Sequence, residues 1–277
     1  MINRLLPILL LAATQLHSQI QIPGPATPEL IQQRMNMVAR DMQVVPTKIG
    51  GDKQKFTFVI RHKAKKDAKA KGIGIILPGG FGDVAFLPFC ANLFARRAYP
   101  NDWIVVELVA PIWGKRTMAT TVWPSKTFNL REAKFDTEEF IKATIEELSR
   151  DCVPDAPVIL QAWSSSGHAA ISATLEQEEI DGILLCSSRS PRRLFKPESG
   201  AKGKSFFLYH SPDDRVTVFS DPQAAVKFLP DMGARAKLVT FRGGHGWPAT
   251  ADHAANLRKG IEWILEGRLK KAESKSE

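Results

Sequence analysis

Three positions far apart in the chain carry the residue types of a nucleophilic relay. Ser164, Ser165 and Ser166 lie between an apolar run, Pro157-Val158-Ile159-Leu160, and a helix-forming series opened by Gly167-His168-Ala169-Ala170. Asp213 and Asp214 follow another apolar run, Phe206-Phe207-Leu208-Tyr209, and His245 stands within Gly243-Gly244-His245-Gly246 after a third, Lys237-Leu238-Val239-Thr240-Phe241. A serine hydroxyl is a weak nucleophile until a neighbouring base accepts its proton. An imidazole is the usual base, and a buried carboxylate fixes its tautomer and stabilises it once charged. The chemistry such a set performs is acyl transfer to serine.

The three serines occupy a turn of a few residues between strand and helix. A sharp turn of that kind lifts one hydroxyl above the end of a sheet and aims helix N-terminal N–H groups beside it. Strand and helix pass close together there, so both positions two removed from the nucleophile must be small. Around Ser164 the flanks are Ala162 and Ser166; around Ser165 they are Trp163 and Gly167, and an indole collides. Ser164 is therefore the expected nucleophile, with Ser165 the alternative. An ordinary serine-capped helix start is the plain reading of the same residues.

The elements that position these residues alternate. Continuous apolar runs at residues 72–77, 103–109, 157–160, 183–186, 206–209 and 237–241 suit buried strands. Helical patterns fall at residues 84–97, 136–150, 167–175, 222–229 and 251–265, and Thr27-Pro28 opens a further helix before them. Residues 56–60 alternate weakly and predict an antiparallel edge strand. Strand–helix alternation implies a mostly parallel sheet with helices on both faces. Ligands in such sheets bind beyond the carboxyl ends of the strands, where each polar motif falls. Residues 111–134 have no firm period, and a connection that long is usually functional.

With these motifs in place the chain resembles the α/β-hydrolase fold, closest to its dienelactone-hydrolase, esterase and prolyl-oligopeptidase-like branch. The resemblance covers about residues 55–265. Asp213-Asp214-Arg215-Val216 resembles an acid loop in which Asp is followed by x-Val, which assigns the acid to Asp214. Gly244-His245-Gly246-Trp247-Pro248 resembles the branch's Gly-His-x-Trp-Pro histidine loop. Pro78-Gly79-Gly80 resembles its His-Gly-Gly oxyanion loop, with proline where histidine is common. Ala162 and Ser166 depart from the glycines of the Gly-x-Ser-x-Gly elbow. The resemblance implies a Ser164–His245–Asp214 triad, with backbone N–H groups of Ser165 and of Gly80 or Phe81 meeting the oxyanion. Trp113, Trp123 and Trp247 are candidates for an aromatic wall against the substrate. His168 and His210 are expected to be structural or rim residues.

The implied function is that of a serine esterase acting through an acyl-enzyme on a small-molecule or polymer-linked carboxylic ester. The alternatives are a prolyl-oligopeptidase-like peptidase and a catalytically silent binding protein. No propeller domain or long N-terminal extension accompanies the fold, which favours small esters over peptides. No cofactor or metal is called for, since the sequence has neither a zinc spacing nor a Cys-x-x-Cys pair.

Composition narrows the classes further. The chain has 277 residues and a formal charge of +9. Much of that charge lies in a hydrophilic stretch at residues 63–71, read as an exposed hairpin connection, and in a polar tail at residues 266–277, read as frayed. No nucleic-acid reading motif accompanies it. Met1-Ile2-Asn3-Arg4, a mostly apolar stretch at residues 5–16 and a polar Gln-rich segment after Ser18 form a secretory signal, too short to span a bilayer comfortably. The expected organisation is a signal peptide at 1–18, an extension with one helix at 19–54, a catalytic domain at 55–265 and the tail. Cleavage near Ser18 would make the mature protein secreted or periplasmic, with no integral membrane segment. Cys90, Cys152 and Cys186 are too few for a disulfide framework, although one Cys90–Cys152 bridge is conceivable in an exported protein.

Overall fold

The computed structural model describes residues 26–114, 122–195, 200–246 and 250–276. Its centre is an eight-stranded sheet in the order β1-β2-β4-β3-β5-β6-β7-β8. The strands are β1 (Met42–Lys48), β2 (Phe56–His62), β3 (Ile73–Leu77), β4 (Ile104–Leu108), β5 (Val158–Trp163), β6 (Ile180–Cys186), β7 (Ser205–His210) and β8 (Arg235–Thr240). β2 runs antiparallel to both β1 and β4, while β3 to β8 are parallel. All five residues of β3 and of β4 are buried. That is the reason both read as unbroken apolar runs rather than alternating ones.

The helices cover both faces. Alternate residues of each strand, such as Ile75, Val106, Leu160 and Ile183, join a core under α3 (Thr137–Leu148), α4 (Gly167–Glu176) and α5 (Ser220–Phe228). The intervening residues, such as Ile76, Val105, Ile159 and Leu184, join a second core. α1 (Pro28–Met35), the segment from α2 (Leu87–Phe89) through a π-helical stretch (Cys90–Ala98), and α6 (Ala251–Ser276) pack on that side. Local signals set the helix starts. Thr27 Oγ1 accepts from Leu30 N at 3.3 Å ahead of Pro28, and Asp136 Oδ1 accepts from Glu139 N at 2.8 Å.

Four expectations change. Residues 19–54 hold more than a helix, because β1 pairs with β2 across seven register positions and extends the sheet. β2 is thereby an interior strand rather than an edge. The lysine-rich stretch is no hairpin connection: β4 lies between β2 and β3, so residues 63–72 cross from one strand to a non-neighbour. The polar tail continues α6, and Arg268 is anchored to Asp181 at 2.7 Å and to Asp155 at 2.7 Å. A polar sequence reads as frayed when its ion-pair partners lie a hundred residues away.

The cysteines are free and buried, with Cys90 and Cys152 in the two different cores on opposite faces of the sheet, so they do not form the conceivable bridge. Among the described residues no helix is long and apolar enough to cross a membrane. The signal-peptide expectation lies outside the described residues.

Candidate active site

β5 ends at Trp163, and Ser164 turns the chain into α4 with φ of +57°. A non-glycine residue held there costs on the order of 1–3 kcal/mol and persists only where surrounding packing enforces it. That packing is visible. Trp163 turns its indole away, against Phe86 at 6.1 Å and Phe89 at 5.0 Å between ring centroids. Ala162 is fully buried in register between Leu77 and Leu185. At the position where the resemblance expects glycine, Ser166 is buried, and its hydroxyl donates to Leu77 O at 2.7 Å and accepts from Trp163 N at 3.0 Å. The hydroxyl satisfies backbone groups that the sharp turn leaves open. Close approach is needed one residue later, where a Cβ on Gly167 would lie 2.6 Å from Ser188 Cβ.

Ser164 Oγ lies 2.8 Å from His245 Nε2, and His245 Nδ1 lies 2.9 Å from Asp214 Oδ2. A carboxylate only accepts, so His245 carries its proton on Nδ1 and offers the Nε2 lone pair to the serine. Asp214 ends a short turn after β7. Its Oδ1 accepts from Val216 N at 2.8 Å and Thr217 N at 2.9 Å, and its Oδ2 accepts from Thr217 Oγ1 at 2.6 Å. Burial alone would raise this carboxyl. The Thr217 side-chain and backbone donors, with His245 and Val216 N, outweigh it and hold the pKa at about 2. Ser211 Oγ accepts from Gly244 N at 3.2 Å and from Asp213 N at 3.1 Å, tying the acid loop to the histidine loop. Asp213 itself is exposed.

Gly79 and Gly80 follow β3 directly. A Cβ on Gly79 would sit 2.7 Å from Trp163 O and 3.1 Å from Ser164 Cβ, so only bare backbone fits against the turn. Gly80 has φ of +58°, and Ser165 Oγ donates to Gly80 O at 3.0 Å. That hydroxyl clamps the residue after Ser164 to the glycine loop, a link that no spacing in the sequence signals.

The aromatic-wall expectation needs correction. Trp123 is fully buried, and its Nε1–H donates to Pro78 O at 3.0 Å, which makes it the floor of the glycine loop. Trp113 is buried against Phe135 at 4.9 Å between ring centroids. Both indoles belong to the core because a loop this long must bury side chains to hold its shape. Trp247 lies outside the described residues.

A cavity of about 280 Å³ opens beside Ser164, and Phe128, His168, Arg189, Arg193 and Leu194 are among its walls. His168 Nε2 is 2.9 Å from Trp123 O, and burial lowers its pKa. A larger cavity, about 830 Å³, lies at the amino ends of β5 and β6 around Val158 and Asp181, at the opposite end of these strands from Ser164. His210 is buried with its Nε2 3.3 Å from Asp214 Oδ2 and 3.2 Å from Thr217 O; burial lowers its pKa, so it stands neutral behind the acid. The bond from Val216 N was findable, since an Asp side chain in a turn commonly accepts from the backbone two residues on; the Thr217 hydroxyl carried no such signal. Phe128, Arg189 and Arg193 carried no local signal. Among the described residues no group of three or more His, Cys, Asp or Glu side chains is arranged to hold a metal ion.

The same architecture recurs in solved structures. Fungal esterases from Rhizomucor miehei superpose with a TM-score of 0.62 at 10% identity, covering 87% of this chain and 89% of that one. An esterase/lipase from an uncultured bacterium gives 0.60 at 12% identity, over 90% of this chain and 94% of that one. An acylaminoacyl peptidase gives 0.56 at 12% identity over 82% of this chain and 42% of that one. Comparison with protein-family models and with curated protein sequences finds no match. The chain has the α/β-hydrolase fold.

Proposed function

We propose that the protein is an exported serine hydrolase that cleaves a carboxylic ester through an acyl-enzyme. The observation that carries this reading is the continuous hydrogen-bonded line from Ser164 Oγ through His245 to Asp214, at 2.8 and 2.9 Å. In the first half-reaction, Ser164 Oγ bonds to the ester carbonyl carbon while its proton passes to His245 Nε2. Asp214 stabilises the imidazolium without taking its proton. Backbone N–H groups of Ser165 and of Gly80 or Phe81 meet the charge that develops on the carbonyl oxygen, each donor contributing about 3–4 kcal/mol. The C–O bond to the alcohol breaks, and the leaving oxygen takes the proton from Nε2. Water then repeats the sequence on the acyl-enzyme, its proton passing through His245 to Ser164 as the acid departs.

A panel of short acyl esters beside aminoacyl amides of matched size tests this reading. Turnover of esters with little or none of the amides is expected, and Ser164→Ala is expected to abolish it. Preference for the amides would make the protein a peptidase. Failure to turn over either, with no burst of alcohol release, would leave the fold as a binding scaffold.

A further inference from the structure

We infer that the substrate's acyl part carries an anionic group, a carboxylate in the simplest case, held by Arg193 and Arg189. This inference rests on the proposed function, because it concerns the cavity beside Ser164.

The turn after β6 places three arginines within five residues, Arg189, Arg192 and Arg193. They are not equivalent. Arg192 is committed to the fold: its Nη1 donates to Phe195 O at 2.9 Å, and its guanidinium lies 4.7 Å over the Phe228 ring. Arg193 is exposed and lines the cavity, and it has no hydrogen bond or ion pair among the described residues. Arg189 also lines the cavity. Asp221 accepts from its Nε at 2.8 Å, which fixes the side chain while using one of its five donors.

No carboxylate side chain is among the described walls of the cavity. Two acids stand behind those walls: Asp221 compensates Arg189, and Asp214 is wholly shielded with its oxygens engaged by Thr217, Val216 and His245, which leaves the Arg193 charge unmatched. The cavity thus has a net positive wall within the same small volume as the Ser164 hydroxyl. Phe128 and Leu194 supply apolar surface beside it, suited to the methylenes between an ester carbonyl and a terminal charge. A guanidinium binds a carboxylate through two parallel N–H···O bonds, which orients the ligand as well as attracting it. Such charge-assisted bonds support a preference of at least about tenfold for the anionic ester.

The experiment uses two methyl esters of similar length, monomethyl glutarate and methyl pentanoate, with the released acid measured by chromatography. The full-length protein should show a kcat/KM ratio of at least about ten in favour of the glutarate. Arg193→Gln should bring that ratio towards one, and Arg193→Lys should keep part of it. A binding arm removes the dependence on turnover: calorimetry of monomethyl glutarate and of methyl pentanoate with the Ser164→Ala protein, alone and combined with Arg193→Gln. Anion-selective binding lost with Arg193→Gln supports the inference even if neither ester is hydrolysed, an outcome that would instead defeat the esterase reading. A ratio near one with equal binding of both esters, or a preference unchanged by Arg193→Gln, overturns it.

Discussion

Replacing Asp214 by asparagine tests the relay through a constraint that the surrounding hydrogen bonds impose. Oδ1 accepts two backbone N–H groups, from Val216 and Thr217. An amide nitrogen placed there would face both donors and leave both unsatisfied, at about 1–3 kcal/mol each. The amide oxygen must therefore occupy the Oδ1 position, and the NH2 group the Oδ2 position. There it meets His245 Nδ1 at about the present 2.9 Å. Having only hydrogens to offer, it requires Nδ1 to accept, which moves the imidazole proton to Nε2. Nε2 then donates towards Ser164 Oγ and can no longer take its proton. The expected loss in kcat/KM is about 10³–10⁴-fold, or roughly 4–5 kcal/mol of barrier. Asp213→Asn should leave activity close to that of the parent, because Asp213 is exposed and outside the relay. Initial rates of ester hydrolysis provide the assay, thermal melts confirm folding, and nitrogen NMR of the imidazole reads the tautomer. Retention of more than a tenth of the activity by Asp214→Asn, or equal losses from both variants, would refute the reasoning.

Three other outcomes follow from the same structure. Gly79→Ala should lower kcat about 10²–10³-fold while the protein still folds, since its Cβ would press on Trp163 O and push the glycine loop off the oxyanion; an active Gly79→Ala would put the oxyanion donors elsewhere. Burial, reinforced by the charge of Asp83, pushes the Glu107 carboxyl well above its ordinary range, with the Cys90 thiol beside it as a partial offset. The folded state then holds a proton that the unfolded chain releases near pH 4.5, so stability falls as pH rises from there. Glu107→Gln should raise the melting temperature at pH 7, by at most about 3 kcal/mol in stability, and change little at pH 4; the opposite pH trend would contradict the burial argument. Export should yield a mature chain beginning near Gln19, read by N-terminal sequencing of extracellular or periplasmic protein, whereas an intact Met1 chain confined to the cytosol would contradict it.

The parallel core was legible because β3 to β7 are buried on both faces, and burial on both faces writes a continuous apolar run into the sequence. The candidate relay was legible for a related reason: Ser164 and Asp214 each sit just past such a run, where the chain must turn, whereas His245 follows β8, an edge strand that is half-buried to exposed rather than the buried strand that residues 237–241 suggested. β1 was not legible. Met42-Gln43-Val44-Val45-Pro46 contains a proline and lies at the sheet edge, where a missing N–H is tolerated and only Met42 of the strand is buried. The tryptophans misled because an indole lining a site and an indole supporting it from below have the same sequence. Ser166 shows the converse, since a hydroxyl stands at a glycine position and succeeds by bonding to the backbone that glycine would have cleared. The cavity walls were the least legible part, because Phe128, Arg189 and Arg193 come from two separate connections that only the folded sheet brings together.

The central claim is that Ser164 Oγ, held at φ of +57° and 2.8 Å from His245, is the attacking atom. Reaction of the full-length protein with a fluorophosphonate, followed by peptide mass spectrometry, tests it directly. A single adduct on Ser164 is predicted, absent from Ser164→Ala, slowed about as strongly as turnover in Asp214→Asn, and retained in Ser165→Ala. An adduct on Ser165, with Ser164→Ala still labelled and active, would contradict the account.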